Sequence, residues 1–246
     1  MRLKLWKVLG RYWRLDYKKV IVQSTNSILM IRPAKFSFNE ETAVNNYYQR
    51  QLVDQKVAAV HNRAVKEFDD LVEKLSSNGV NVIVVNDSGI NNTPDSIFPN
   101  NWVSFHENGQ IVLYPMFAEN RRLERRMDIF DDLEKKHGFN INNIVDWTGS
   151  EGRNQFLEGT GSLVLDRTNK IAYAALSERT DEEIIDKFCK HFQYEAVMFT
   201  ANQSVQGKRL PIYHTNVMMC VADGFVVVCL DSIDDINERQ ELIEKF

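Results

Sequence analysis

A recurring order of hairpin, helix and returning strand constrains this chain more than any other feature, appearing three times with roughly 55 to 60 residues between turns. In the first occurrence Trp102 to Phe105 and Ile111 to Tyr114 flank an Asn108-Gly109 turn. A helical stretch from Arg121 to Lys136 and a strand from Ile141 to Trp147 follow. In the second, Leu163 to Leu165 and Ile171 to Ala174 flank Thr168-Asn169, with a helix from Asp181 to Phe192 and a strand from Ala196 to Phe199. The third pairs Val217 to Val221 with Phe225 to Leu230 across Asp223-Gly224, a favoured two-residue turn because both central positions take positive φ. A helix then begins near Ile236. An earlier, less regular unit has the same plan: strand material in Val20 to Ile31, a helix within Asn45 to Leu75, and a strand from Val80 to Val85 after Asn78-Gly79. Four units are thus expected in an α/β chain. The last helix reaches Phe246 without its strand, so the repeat predicts a C-terminally incomplete domain over residues 20–246.

The 246 residues are 43% hydrophobic and 26% charged, ordinary for a globular chain and unlike disordered or disulfide-scaffold proteins. No stretch approaches the roughly 20 apolar residues that span a bilayer. Charge is uneven. Residues 1–19 hold seven Lys or Arg against Asp16 alone, which leaves 23 basic and 33 acidic residues elsewhere. A body of that sign repels a phosphate backbone, so nucleic acid is not an expected partner. The segment 1–19 reads as a basic N-terminal extension. A helix there would be amphipathic and able to touch a membrane surface, but it lacks the pattern of a secretory signal, and no membrane partner is expected.

Three cysteines, Cys189, Cys220 and Cys229, give no disulfide framework and suit a reducing, cytoplasmic setting. Hairpin register places Cys220 opposite Val227 and Cys229 opposite Met218, diagonal neighbours about 7 Å apart and too distant for comfortable bridging. Their apolar neighbours predict buried thiols. The five histidines lack metal-ligand spacing and no phosphate-binding Gly loop occurs, so neither a metal nor any other cofactor is expected.

Four polar clusters sit at the edges of the predicted strands: Asp95 with Phe98-Pro99-Asn100-Asn101-Trp102, Arg121-Arg122, Leu157-Glu158-Gly159-Thr160-Gly161, and His214-Thr215-Asn216. Carboxylates at Asp95 and Glu158 suit a planar cation held by bidentate hydrogen bonds, and arginines suit a ligand carboxylate. His214 is placed to move protons near neutral pH. The glycines around Glu158 have a plainer reading, relief of a tight bend before a strand.

The order and wording of these clusters resembles the guanidino-group-modifying superfamily, which includes arginine deiminases, dimethylarginine dimethylaminohydrolases, amidinotransferases and bacterial citrulline-utilising hydrolases. The likeness covers Val20 to Phe246 and is carried by Pro94 to Trp102, Leu157-Glu158-Gly159, Ala175 to Thr180 and Tyr213 to Asn216. It implies a pseudo-fivefold α/β propeller of ββαβ units, of which four are visible. It further implies a cysteine-dependent hydrolase that attacks the guanidino or ureido carbon of an arginine- or citrulline-like amino acid. By motif, Asp95 and Glu158 hold the substrate nitrogens, His214 is the general acid and base, and Arg121 and Arg179 bind the α-carboxylate, with Arg122 competing with Arg121. Asn100 and Asn101, where several relatives place acids, resemble the citrulline-hydrolase branch. The family's nucleophilic cysteine follows a Gly-rich segment in the fifth unit, and none of the three cysteines matches it, so the chain is expected to be inactive as it stands. The contrary expectation is a non-catalytic propeller that binds a ligand or a partner. Oligomeric state is not legible.

Overall fold

The computed structural model describes residues 22–51 and 56–246. The basic extension and the start of the first predicted strand, at Val20, lie outside them. Strand β1 (Ser27–Arg32) is followed by the short α1 (Glu40–Ala43) and the long α2 (Val57–Ser77), and β2 (Asn81–Asn86) returns parallel to β1 with Ser27 opposite Asn81. A hairpin of β3 (Val103–Phe105) and β4 (Gln110–Leu113) comes next. Helices α3 (Glu119–Arg122) and α4 (Asp128–His137) then cross over to β5 (Asn143–Asp146), which lies parallel to β4. One turn, α5 (Gly159–Ser162), leads into the hairpin of β6 (Leu163–Asp166) and β7 (Ile171–Ala175), and α6 (Glu182–Phe192) carries the chain to β8 (Glu195–Phe199), parallel to β7. Two further hairpins follow, β9 (Asn202–Val205) with β10 (Lys208–Pro211) and β11 (Met219–Ala222) with β12 (Phe225–Val228), before α7 (Ile236–Glu244). The fold is mixed α/β, with five separate sheets among the described residues.

Local chemistry accounts for most boundaries. Asp181 caps α6 by accepting from the Ile184 N–H, and Asp235 caps α7 by accepting from Asn237 and Glu238. Gly138 ends α4 in the left-handed conformation, where a side chain is disfavoured. The helix expected from Arg121 to Lys136 is instead two helices. Residues 123–127 separate them; Arg121 pairs with Glu124 there, and Arg125 reaches the Tyr114 carbonyl and Glu151. Hairpin β9–β10 is an addition to the expected plan. It turns at Gln206-Gly207 with both φ positive, and glutamine is not a residue that announces such a turn.

Helices α4, α6 and α7 each wedge between their own sheet and the one before. Ile184, Ile185, Phe188 and Phe192 of α6 form one stripe, which packs on Leu163, Leu165, Ala172 and Ala174 and on Val112, Tyr114 and Trp147 of the preceding unit. Ile129, Phe130 and Leu133 of α4 fill the same place between β1–β2 and β3–β4. Leu242 of α7 does so against Tyr173, Val197 and Phe199. Strand β7 is therefore buried along its whole length.

Cys220 and Cys229 are exposed, a correction to the buried thiols expected from their neighbours. The predicted register itself holds, with Cys220 opposite Val227 and the Cys229 N–H donating to the Met218 carbonyl. Val221, Val226 and Val228 take the inward face of the hairpin, so alternation turns both cysteines outward. Cys189 alone is buried, in α6.

The central packing of α6 is testable by chemical denaturation. Phe188→Ala is expected to cost about 3–5 kcal/mol, and Val227→Ala, on the exposed hairpin face, about 0.5 kcal/mol or less.

Candidate active site

Three segments that precede the first strand of a hairpin tighten into a single helical turn: Pro99–Asn101 before β3, Gly159–Ser162 before β6 and Thr215–Val217 before β11. These turns pack on one another, which is why Asn101, Glu158 and His214 meet despite their separation in sequence. The approach is close enough to exclude side chains. At Gly161 a Cβ would stand 2.3 Å from Asn101 Nδ2 and 2.8 Å from the His214 ring, and Gly159, at φ +44°, would place one 2.3 Å from the Asn100 carbonyl oxygen. The glycines thus permit contact between units, beyond the tight bend they suggest in sequence.

Glu158 is fully buried and is the hub. Its Oε2 lies 2.7 Å from His214 Nε2, 3.4 Å from Arg179 Nη1 and 3.8 Å from Arg121 Nη1, while Oε1 accepts from the Phe117 N–H. Burial alone would raise this carboxyl, but the His214 hydrogen bond and the charges of Arg179 and Arg121 outweigh it and hold the group well below the usual carboxylate range. Burial also lowers the His214 imidazole from its ordinary 6.5, against the opposing pull of Glu158. The pair therefore consists of an anionic carboxylate and a neutral imidazole whose Nε2–H donates to Oε2, leaving Nδ1 as the unprotonated nitrogen.

A second layer fixes the hub. The Ser162 hydroxyl accepts from the Glu158 N–H and donates to the Arg179 carbonyl, and Thr215 Oγ1 donates to the Ser162 carbonyl while accepting from the Ala175 N–H. Both hydroxyls are fully buried, tying the Glu158, Arg179 and His214 segments together.

The two arginines expected to bind a ligand carboxylate are buried and internally paired. Arg121 forms a fork on Glu124 through Nε and Nη2, each at 2.9 Å, and donates Nη1 to Asn101 Oδ1 at 2.8 Å. Burial pushes the Glu124 carboxyl up to about 7 although that fork favours its anion. Arg179 places Nε and Nη2 on Asn45 Oδ1, Nη2 also on the Thr42 carbonyl, and its guanidinium over the Tyr213 ring at 4.8 Å. Arg122 lies at the surface of the cluster, donating to the Met116 and Phe117 carbonyls. Asp95 is half-buried, and its Oδ2 accepts from Asn39 Nδ2 at 2.7 Å. Its backbone carbonyl accepts from Arg121 Nη2, so Asp95 belongs to the same cluster. Asn101 Nδ2 is 3.5 Å from the Glu158 carbonyl, and Asn100 contributes its backbone carbonyl to the packing at Gly159.

A family model described as N,N dimethylarginine dimethylhydrolase, eukaryotic, matches residues 32–246. The chain belongs to that family. With it, the guanidino-group-modifying superfamily read from the motifs is established. Among solved structures, apo ArgZ, an arginine dihydrolase from cyanobacteria, is 16% identical with a TM-score of 0.59 over 89% of this chain and 28% of that one. The isolated N-terminal domain of ArgZ bound to product is 18% identical with a TM-score of 0.64, covering 89% of this chain and 71% of the domain. A dimethylarginine dimethylaminohydrolase adduct is 12% identical with a TM-score of 0.56, covering 87% and 73%. At such identities the likeness is one of fold. No curated protein matches.

Glu124, Asn39, Thr42 and Asn45 belong to this cluster, and the motifs did not reveal them. The first has a weak signal, an acid three residues after Arg121 on a predicted helix. The other three lie in an irregular polar segment around α1 with no pattern to single them out. Among the described residues no helix is long and apolar enough to cross a membrane.

Two outcomes follow from the geometry. Gly161→Ala is expected to destabilise the fold by about 1–3 kcal/mol and to shift the His214 ring resonances in NMR spectra. The pH dependence has a definite sign. A histidine whose folded pKa lies below its unfolded 6.5 contributes stability that is present above 6.5 and lost as pH falls toward the folded value. The stability of the wild type relative to His214→Gln, measured by denaturation at each pH, should therefore decline from pH 7 to pH 5.

Proposed function

We propose that the chain is the binding and acid–base portion of a cysteine-dependent, cofactor-free hydrolase acting on the guanidino or ureido group of arginine- or citrulline-like amino acids. The observation that carries this reading is the buried Glu158–His214 pair at 2.7 Å, held between Arg121 and Arg179 in a chain whose family model covers residues 32–246. The ββαβ order of the two middle units and the likeness to ArgZ and dimethylarginine dimethylaminohydrolase support a pseudo-fivefold propeller of which this chain supplies four units.

In this reading Asp95 and Glu158 accept hydrogen bonds from the substrate nitrogens and concentrate positive charge on the carbon between them, and Asn100 and Asn101 suit a neutral ureido group. The cysteine thiol gives its proton to Nδ1 of His214, and the thiolate so formed makes a C–S bond to that carbon. The C–N bond breaks, and the departing amine takes its proton from His214. Water then adds, giving its proton back to His214, and the C–S bond breaks to restore the thiolate. Arg179 and Arg121, or Arg122 at the surface, orient the amino-acid carboxylate.

This reading assigns none of the three cysteines as that thiolate. Cys189 is buried in α6, where burial pushes its thiol up to about 11, and the other two face outward from the β11–β12 hairpin. The same fact favours the second reading, a domain that binds such an amino acid without transforming it. ArgZ is an arginine dihydrolase, and a related protein, AgrE, has been seen in complex with L-arginine. That history makes arginine and citrulline the first ligands to try.

Isothermal titration and mass-spectrometric product analysis with L-arginine, L-citrulline and methylated arginines test the proposal. The expected outcome is weak binding of at least one of them, lost by about tenfold or more in Glu158→Gln, with no product. Hydrolysis that survives replacement of all three cysteines by serine contradicts the thiolate mechanism.

A further inference from the structure

The groups assigned above to the substrate are already occupied by one segment of the same chain. Asn39 Nδ2 donates to Asp95 Oδ2 at 2.7 Å, and Thr42 Oγ1 lies 3.1 Å from the same oxygen. Six residues after Asn39, the carboxamide oxygen of Asn45 accepts from both Nε and Nη2 of Arg179, the edge of a guanidinium that takes a carboxylate in bidentate fashion. The segment is pinned at further points. Asn39 Oδ1 accepts from Asn120 Nδ2 at 2.8 Å, Glu41 accepts from the Asn120 N–H at 2.9 Å, and Asn45 Nδ2 donates to Glu178 at 2.9 Å.

The two amides are matched to the two ends of an amino-acid substrate. An N–H of Asn39 stands on Asp95 where a ureido or guanidino N–H is expected, and a carbonyl oxygen of Asn45 stands on Arg179 where a carboxylate is expected. We infer that the Asn39–Asn45 segment is an internal ligand that mimics the substrate and must be displaced for it to bind. This rests on the assignment of Asp95 and Arg179 under the proposed function.

The exchange has a favourable direction. Each amide is neutral, and a hydrogen bond between a charged donor and a charged acceptor is roughly twice as strong as its neutral counterpart, so a carboxylate displaces Asn45 from Arg179 and a guanidinium displaces Asn39 from Asp95. The segment thereby lowers apparent affinity in proportion to the fraction of molecules in which it is seated. It discriminates as well. A ligand that lacks the carboxylate leaves Asn45 in place and gains only the Asp95 end.

Isothermal titration with L-arginine, L-citrulline and agmatine, the decarboxylated analogue of arginine, separates the outcomes. Asn45→Ala is expected to tighten L-arginine and L-citrulline by about tenfold and to leave agmatine unchanged, because only the first two compete for Arg179. Asn45→Asp is expected to do the reverse, weakening both amino acids by about tenfold, since its carboxylate holds the Arg179 fork more firmly than the amide does. This variant adds a buried ion pair in place and keeps the test available if the alanine variant does not fold. Equal or weaker binding of L-arginine and L-citrulline by Asn45→Ala, in protein that melts cooperatively, overturns the internal-ligand inference alone. So does unchanged or tighter binding by Asn45→Asp. Absence of binding by the wild type and both variants overturns the functional reading and the inference with it.

Discussion

A buried carboxylate without partners is among the costliest groups a fold can contain, and Glu158 is such a carboxylate made tolerable by three neighbours from three other parts of the chain. Arg121 comes from α3, Arg179 from the loop after β7 and His214 from the segment before β11. Removing any one leaves a buried charge undercompensated. The arrangement around Glu158 therefore fixes how closely the repeated units approach, and the glycines at 159 and 161, with the Ser162 and Thr215 hydroxyls, are the local means by which that approach is reached.

The same compensation sets the chemistry. Because Arg179 and Arg121 hold Glu158 ionised, the proton between Glu158 and His214 resides on the imidazole Nε2, and burial keeps the ring otherwise neutral. A neutral imidazole with one unprotonated nitrogen is the form that accepts a proton. Each arginine is also saturated. Arg121 is spent on Glu124 and Asn101, and Arg179 on Asn45, Thr42 and Glu158. Cations that a motif assigns to a ligand are part of the internal electrostatic balance of the fold.

Apolar packing delivers these groups through a repeated wedge of helix between sheets. The stripe of α6 is readable in sequence from the spacing of Ile184, Ile185, Phe188 and Phe192, and Asp181 marks its start. The break between α3 and α4 is less readable, since the stretch from Arg121 to Lys136 has helix-forming composition throughout. At the break Arg125 reaches the Tyr114 carbonyl, an acceptor outside that stretch, and nothing within the stretch announces it. The exposed thiols show the complementary error. Local hydrophobicity around Cys220 and Cys229 cannot say which face of a hairpin meets a neighbouring sheet, even where the register is correct.

By itself the sequence pointed to the order of the two middle units, the register of the β11–β12 hairpin, the family, and the polar residues Asp95, Glu158, His214, Arg121 and Arg179 that meet in one cluster, because these are written in periodicity, turn chemistry and contiguous motifs. Only the tertiary structure decided that Glu158 and His214 share a hydrogen bond, that Glu124 sequesters Arg121, and that Asn39, Thr42 and Asn45 join the same cluster. Those three residues sit in an irregular stretch whose polar composition is that of any surface loop. Their role arises from where the chain is carried in space, since a carboxamide has no signature until it stands within hydrogen-bond distance of a particular carboxylate or guanidinium.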